Sequence, residues 1–321
     1  SHTPITITGQ GSLLKRPFGF FTEVLPQLGV ACTTTDGLLP LRLKGPLQPK
    51  NIQIDGSLSS QFLTGVLFAF AGAKAKDVTV EVANLQSKPY IAMSLQTMRQ
   101  FGMPLPDNEQ YQRFHFPAKE TSVGNESDSL VYHVEGDWSG AAFLLVAGAV
   151  AGNVTVKGLF TSSVQADKKI LEALIAANVT IRIEENQISV QKSRLKAFEF
   201  DATHCPDLFP PLVALAAYCE GVSCITGVHR LTHKESNRAL TLQEEFGKLG
   251  VSIFLEEDVM VVHGGARVTG ATVSSHHDHR IAMACAVAAL GADGPVTIQG
   301  AEAVAKSYPQ FWEHLEKITA S

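Results

Sequence analysis

Between His233 and Arg238 the chain reads HKESNR. If a helix begins near His233, Lys234 and Arg238 lie four residues apart and Glu235 and Arg238 three apart, on one face. A carboxylate held between two cations stays ionised and oriented, as a group that moves protons must be. The same spacing suits a solvated ion-pair patch. A second cluster, HHDHRIAM from His276 to Met283, offers three histidines and an aspartate. They are nearly consecutive at a turn and lack the i,i+4 or hairpin spacing of a zinc site, so no metal is expected. Arg280, in the first turn of an apolar helix, can grip an anion together with the free backbone N–H groups there. His279 can donate a hydrogen bond beside it. A turn that only caps the helix is the alternative.

Three further stretches place polar groups at helix starts. CPDLFPP sets Asp207 at the head of a very apolar helix, where a carboxylate serves either as a cap or as a group aimed into a cleft. DGSLSSQ supplies the hydroxyls of Ser59 and Ser60 and the amide of Gln61, suited to a phosphate or carboxylate and equally to capping. SKPY adds Ser87, Lys88 and Tyr90, and Lys306 with Ser307 and Tyr308 does the same near the end of the chain. There is no GxGxxG after a strand, no GxxxxGKS and no GxSxG, so nothing points to a dinucleotide, a P-loop nucleotide or a serine hydrolase. Cations recur at these turns as Arg16, Lys88, Lys234, Arg238, Arg280 and Lys306. That pattern predicts binding of small, highly anionic molecules.

The elements that position these groups repeat. A strand, a polar turn and an apolar helix recur from Ile52, Tyr132, Phe198 and Ala271. Each is followed by a short strand (DVTVEV, NVTVKG, VSCITG, PVTIQG) and then a second, amphipathic helix leading into one or two strands. Ala and Leu in the helices and alternating Val and Ile in the strands agree with this reading. The unit is βαβαββ, an α/β (α+β) repeat with helices packed on mixed sheets. In this register the chain opens at the second helix of a unit, and the start SHTPI looks arbitrary. An N-terminally incomplete fold is therefore expected.

Composition sets the class. The chain of 321 residues is 45% hydrophobic and 18% charged, as in ordinary globular proteins. Its net charge of -5 gives no reason to expect nucleic acid. The longest apolar stretches, such as Ala141 to Ala151, fall short of the roughly 20 residues that span a bilayer, so no membrane role is expected. Five scattered cysteines without CxxC spacing read as reduced thiols of a cytoplasmic protein.

DGSLSSQFLTG, LQSKPY, EGDWSGAAF, HCPDLFPP, HKESNR, HDHRIAMA and AKSYPQF, in this order, resemble the successive motifs of the 5-enolpyruvylshikimate-3-phosphate synthases, from about Gly11 to Ile318. The resemblance implies two domains of repeated βαβαββ units closing on substrate, here residues 1–134 with about two units and 135–321 with nearly three. It implies transfer of the enolpyruvyl group of phosphoenolpyruvate to the 5-hydroxyl of shikimate 3-phosphate, with release of phosphate. By the same resemblance Ser59, Ser60, Ser87 and Tyr90 hold shikimate 3-phosphate, with Gln61 between the two substrates and Asp207 and Lys234 near the acceptor. Arg16, Arg238, Arg280 and Lys306 grip phosphoenolpyruvate, with His279 in support. Asp207 is the candidate base, Glu235 the candidate acid, and Lys234 assists either proton transfer. The family implies an enzyme without cofactor or metal, monomeric when intact. Its early lysine–serine–arginine and glycine-rich segments are not found, which implies a missing N-terminal segment and a chain inactive by itself. A related UDP-N-acetylglucosamine enolpyruvyl transferase and a non-catalytic anion-binding scaffold are the rival readings.

Overall fold

The computed structural model describes residues 2–57, 59–118, 131–232 and 234–319, the side chains of Ser12 and Thr319 apart. The chain divides into two compact units, Ser1–Tyr132 and His133–Ser321.

In the first unit, β1 (Ile5–Ile7), a short 3-10 turn at Gly11–Lys15 and α1 (Gly19–Gln27) lead into β2 (Ala31–Thr35) and β3 (Leu38–Lys44). Then follow β4 (Ile52–Asp55), α2 (Ser60–Gly72), β5 (Val78–Ala83), α3 (Lys88–Gln100), β6 (Asp107–Glu109) and β7 (Arg113–Phe116). The sheets run β1-β3-β2 and β4-β5-β7-β6. β4 and β5 are parallel, with Asp55 opposite Ala83, so α2 and α3 both start from the same edge of the sheet. Leu63, Leu67, Phe70, Val80, Ile91, Met98 and Phe114 make the core between helices and sheet. Each such side chain contributes roughly 1.5–3 kcal/mol on burial.

The second unit holds α4 (Trp138–Ala151), β8 (Asn153–Lys157), α5 (Ile170–Ala176), β9 (Thr180–Ile183) and β10 (Gln187–Gln191). They are followed by β11 (Glu199–Asp201), α6 (Phe209–Ala216), β12 (Gly221–Thr226), α7 (Arg238–Lys248), β13 (Ser252–Glu256) and β14 (Val259–Gly264). The last turn of the repeat is β15 (Thr272–Ser274), α8 (His279–Ala289), β16 (Thr297–Gln299) and α9 (Phe311–Thr319). The order β11-β12-β14-β13 repeats that of β4-β5-β7-β6, while β8-β10-β9 and β15-β16 carry parts of it. α4, α6 and α8 pack on one another. Every residue of α6 is buried, and in α4 every residue from Trp138 to Val150 except Ser139. A helix apolar on all sides must sit inside, and these three form the centre of the unit.

The fold corrects three expectations. The chain does not open on a helix: β1 precedes the first helical turn and pairs antiparallel with β3, Ile5 opposite Leu43. The opening residues thus belong to a three-stranded sheet, β1-β3-β2, whose order β8-β10-β9 repeats, and the reading of a chain that opens at the second helix of a unit is not upheld. No strand forms at Tyr132–Val134 ahead of α4. Val131 and Val134 are 76% and 85% exposed, so their alternation has no sheet face to serve. α7 begins at Arg238 rather than near His233, because Asn237 caps it by accepting the Leu240 N–H. His233 itself lies outside the described residues.

Candidate active site

In the first unit the loops after β4 and β5 are laced together. The Gly56 N–H donates to the Ala83 carbonyl at 2.8 Å and the Gln86 N–H to the Gly56 carbonyl at 3.3 Å. A Cβ at Gly56 would stand 2.9 Å from Leu85 Cα, so only glycine permits this approach. The lacing sets two helix starts side by side. Ser59 caps α2, its hydroxyl accepting the Gln61 N–H, with Ser60 buried and Gln61 exposed. Ser87 caps α3 in a left-handed conformation (φ 54°), and the Tyr90 N–H donates to its carbonyl. Thr64 and Ser94 join the two helices by a hydrogen bond of 2.8 Å. Lys88 faces an open polar cleft of about 1060 Å³ with Asn84, Tyr111 and Arg113. Arg16 ends the turn ahead of α1, whose Phe20 stacks on Phe62 in the first turn of α2 at 4.6 Å.

In the second unit the site is built around one guanidinium. Arg238, 1% exposed, donates from Nη1 to Asp207 at 2.8 Å, from Nη2 to Glu235 at 2.6 Å and from Nε to Asp278 at 2.8 Å. Asp207, ahead of α6, also accepts from Lys234 at 3.1 Å and from Arg280 at 3.2 Å. Lys234 thus turns to Asp207, so the carboxylate held among several cations is Asp207, while Glu235 meets Arg238. Asp278 caps α8, accepting the Arg280 N–H at 3.0 Å, and takes the Ser236 hydroxyl at 3.1 Å. The residues 276–277 turn left-handed (φ 49° and 58°), held by hydroxyls of Ser274 and Ser275 that accept their N–H groups. Lys306 donates to the His277 carbonyl at 2.6 Å from the end of a 3-10 turn, Ala301–Lys306; it is not in the first turn of α9.

The electrostatics follow from this packing. Burial alone would raise the Asp207 pKa, but Arg280, Lys234 and Arg238 outweigh it and hold the carboxyl well below the usual range. Its side chain keeps 23% of its surface exposed, so a ligand can reach it. Asp278 is likewise held down by Arg238 against the effect of burial. His279 is pushed to about 4, first by burial and then by Arg280, so its imidazole is neutral at ordinary pH. Ionised carboxylates thus face fixed cations around a reachable Asp207. That arrangement can hold anionic oxygens and move a proton.

Residues 1–315 match the family model of EPSP synthase (3-phosphoshikimate 1-carboxyvinyltransferase). The 3-phosphoshikimate 1-carboxyvinyltransferases of Methanocella arvoryzae and Clostridium acetobutylicum are 39% and 36% identical over 98% of this chain, which spans 73% and 72% of their lengths.

The chain belongs to the EPSP synthase family.

A solved EPSP synthase from Acinetobacter baumannii superposes with a TM-score of 0.74 at 26% identity, covering 99% of this chain and 74% of that one. The enolpyruvyl transferase NikO from Streptomyces tendae, 16% identical with a TM-score of 0.72, shares the fold. The EPSP synthase match runs over residues 1–315, and the expectation of a family member apparently lacking its N-terminal segment finds no support in it. The family assignment stands on the chain as given.

Several groups around this EPSP synthase-type cluster escaped sequence reading. Asp278 is legible as a helix cap in HHDHR, yet nothing local shows that it receives Arg238. Ser236 and Asp167 are equally silent. One set of metal-ligating groups occurs among the described residues: Glu244, Glu245 and His276, with ligand atoms within 4.8 Å of one another. Lys248 donates to both carboxylates, at 3.0 and 2.8 Å, and the Ser274 N–H to Glu245 at 2.8 Å. Glu245 also meets His276 Nε2 at 2.6 Å, so the cluster ties α7 to the turn before α8.

Proposed function

We propose that Asp207, Glu235 and Lys234 carry the proton transfers of the family reaction and that the arginines around them hold phosphoenolpyruvate. The reaction follows from family membership: the enolpyruvyl group passes from phosphoenolpyruvate to the 5-hydroxyl of shikimate 3-phosphate, and phosphate leaves. The observation that carries the assignment is Asp207 reached by Lys234, Arg238 and Arg280 at once.

In this reading Glu235 protonates C3 of phosphoenolpyruvate, which makes C2 electrophilic. The 5-hydroxyl oxygen bonds to C2 while its proton passes to Asp207, giving a tetrahedral ketal phosphate. Glu235 then takes a proton back from the new methyl group, Asp207 gives its proton to the departing phosphate, the C2–O bond to phosphate breaks and the double bond re-forms. Two carboxyls serve because one must give a proton as the other takes one. Arg238 and Arg280 stabilise carboxylate and phosphate charge throughout, and Lys306, with neutral His279, supports them. In the first unit Ser59, Ser60, Ser87 and Tyr90 are the proposed contacts of shikimate 3-phosphate, and Gln61 and Arg16 those nearer phosphoenolpyruvate.

The five cysteines are free, which supports a reducing, cytoplasmic setting. No helix among the described residues is long and apolar enough to cross a membrane. The proposed enzyme works as a single chain on two small molecules. Phosphate release from phosphoenolpyruvate, measured with and without shikimate 3-phosphate, is the test. Release that depends on shikimate 3-phosphate is expected, and release indifferent to it would remove the acceptor from the assignment.

A further inference from the structure

α7 holds the turn ahead of α8 at two points. At its first residue Arg238 grips Asp278. Two helical turns later, on the same face, stands Glu245, whose side chain is 0% exposed. One Glu245 oxygen accepts the Ser274 N–H at 2.8 Å, and the other meets His276 Nε2 at 2.6 Å and Lys248 Nζ at 2.8 Å. Between the two clamps the Ser274 hydroxyl accepts the His276 N–H, the Ser275 hydroxyl accepts the His277 N–H and donates to the Gly300 carbonyl, and the His277 carbonyl takes Lys306. Arg280 follows directly, its N–H on Asp278. Burial alone would raise the Glu245 pKa, but Lys248, the Ser274 N–H and His276 outweigh it and hold the carboxyl below the usual range. Apolar packing commonly replaces a buried ion pair without loss of stability, so stability alone does not call for a carboxylate here. An apolar side chain could not fix a backbone N–H and an imidazole of the neighbouring element at once.

We propose that Glu245 is a positioning residue of this site, the second anchor of the turn at residues 274–278, which sets Arg280 and Lys306 for phosphoenolpyruvate. The proposal rests on the reading that those two cations hold that substrate. Arg238 fixes the turn at Asp278, but one clamp leaves the other end of the turn free to swing about it. Glu245 removes that freedom at Ser274 and His276. Lys306 depends on it most directly, because its acceptor is the carbonyl of the residue after His276. Asp207 and Glu235 are held by Arg238 itself, so losing Glu245 weakens the grip on phosphoenolpyruvate more than the proton transfers. Shikimate 3-phosphate, assigned to the helix starts of the first unit, is held independently of it.

The test is kcat and the KM for each substrate in Glu245→Gln, His276→Ala, His276→Gln and Lys248→Met. In Glu245→Gln the KM for phosphoenolpyruvate is expected to rise about tenfold, with that for shikimate 3-phosphate unchanged within about twofold and a smaller change in kcat. A merely structural residue would reduce the amount of folded enzyme and leave the KM values of the remainder alone. His276→Ala loses one contact of the clasp and should raise the KM for phosphoenolpyruvate about threefold. His276→Gln, whose amide N–H can still donate to Glu245, should recover most of that. Lys248→Met cuts an ion pair within α7 and spares the turn, so it should lower the urea midpoint without moving either KM. An unmoved KM for phosphoenolpyruvate in Glu245→Gln, equal rises for both substrates, or an equal shift in Lys248→Met overturns the proposal. If Glu245→Gln does not fold, the exposed His276 decides: a wild-type KM for phosphoenolpyruvate in His276→Ala overturns it. Lys306→Met is measured alongside: an unchanged KM for phosphoenolpyruvate there defeats the assignment of the cations to that substrate, whatever Glu245 does.

Discussion

Arg238 grips Asp278 with two donors, Nε to Oδ2 at 2.8 Å and Nη2 to Oδ1 at 3.2 Å, in surroundings that leave the arginine 1% and the aspartate 0% exposed. This fork joins the first residue of α7 to the cap of α8. A single pair therefore fixes both the separation of two helix starts and the direction of the other two guanidinium donors, toward Asp207 and Glu235.

Breaking the fork from one side leaves a buried charge without compensation. Asp278→Asn, which can still cap α8, is expected to lower unfolding free energy by about 3–5 kcal/mol. Urea denaturation measures it. Adding Arg238→Met to Asp278→Asn should be far less damaging than the sum of the single changes. Additive losses would mean that the two residues act separately.

Asp207→Asn keeps the shape of the side chain and removes both its charge and its ability to take a proton. Turnover should fall by about 100- to 10,000-fold. Phosphoenolpyruvate should bind at least as tightly as before, because Lys234, Arg238 and Arg280 lose a competing anion. Calorimetric titration reads the second effect, and weakened binding would place Asp207 among the substrate contacts rather than opposite them.

His279 gives stability a pH dependence of definite sign. Its folded pKa of about 4 lies below the unfolded value of about 6.5, so the unfolded chain binds more protons between them. Stability should fall as pH drops from about 6.5 to about 4, by on the order of 2–3 kcal/mol. Asp207 and Asp278, both held down, contribute stability above the unfolded carboxyl pKa, about 4, that is lost only below it. His279→Asn should flatten the upper window and leave the lower one. Denaturation midpoints at half-unit pH steps separate the two.

Gly56→Ala forces apart the loops that set Ser59 beside Ser87. The KM for shikimate 3-phosphate should rise about tenfold or more with a smaller change in kcat, since proton transfer is assigned elsewhere. Equal losses in both constants would argue against a binding role for these helix starts.

Much of this was legible in the sequence because repetition amplifies weak signals. Strand, polar turn and apolar helix recur around α2, α6 and α8, and the polar turn and helix at α4. The types of the turn residues named the chemistry before their geometry was known. The losses have physical causes. Arg238 and Asp278 are 40 positions apart, and Ser139 and Asp167 are 28 apart, so no local spacing reports their pairing. Lys234 sits four residues before Arg238, but Asn237 starts the helix too late for both to share a helical face. Tyr132–Val134 has strand composition and no sheet to join. The start of the chain was misread because β1, only three residues long, carries too little pattern to mark a strand.

The helices α4, α6 and α8 are buried along almost their whole length, and their first turns carry Ser139, the approach from Asp207, and Arg280. The end of this unit proposed to carry the proton transfers is therefore also its slowest to come undone. Amide hydrogens in those first turns should exchange with solvent only when the whole unit opens, at the rate of global unfolding, while the exposed edge strands exchange far sooner. A protease or denaturant would strip the periphery first and reach the proposed site last.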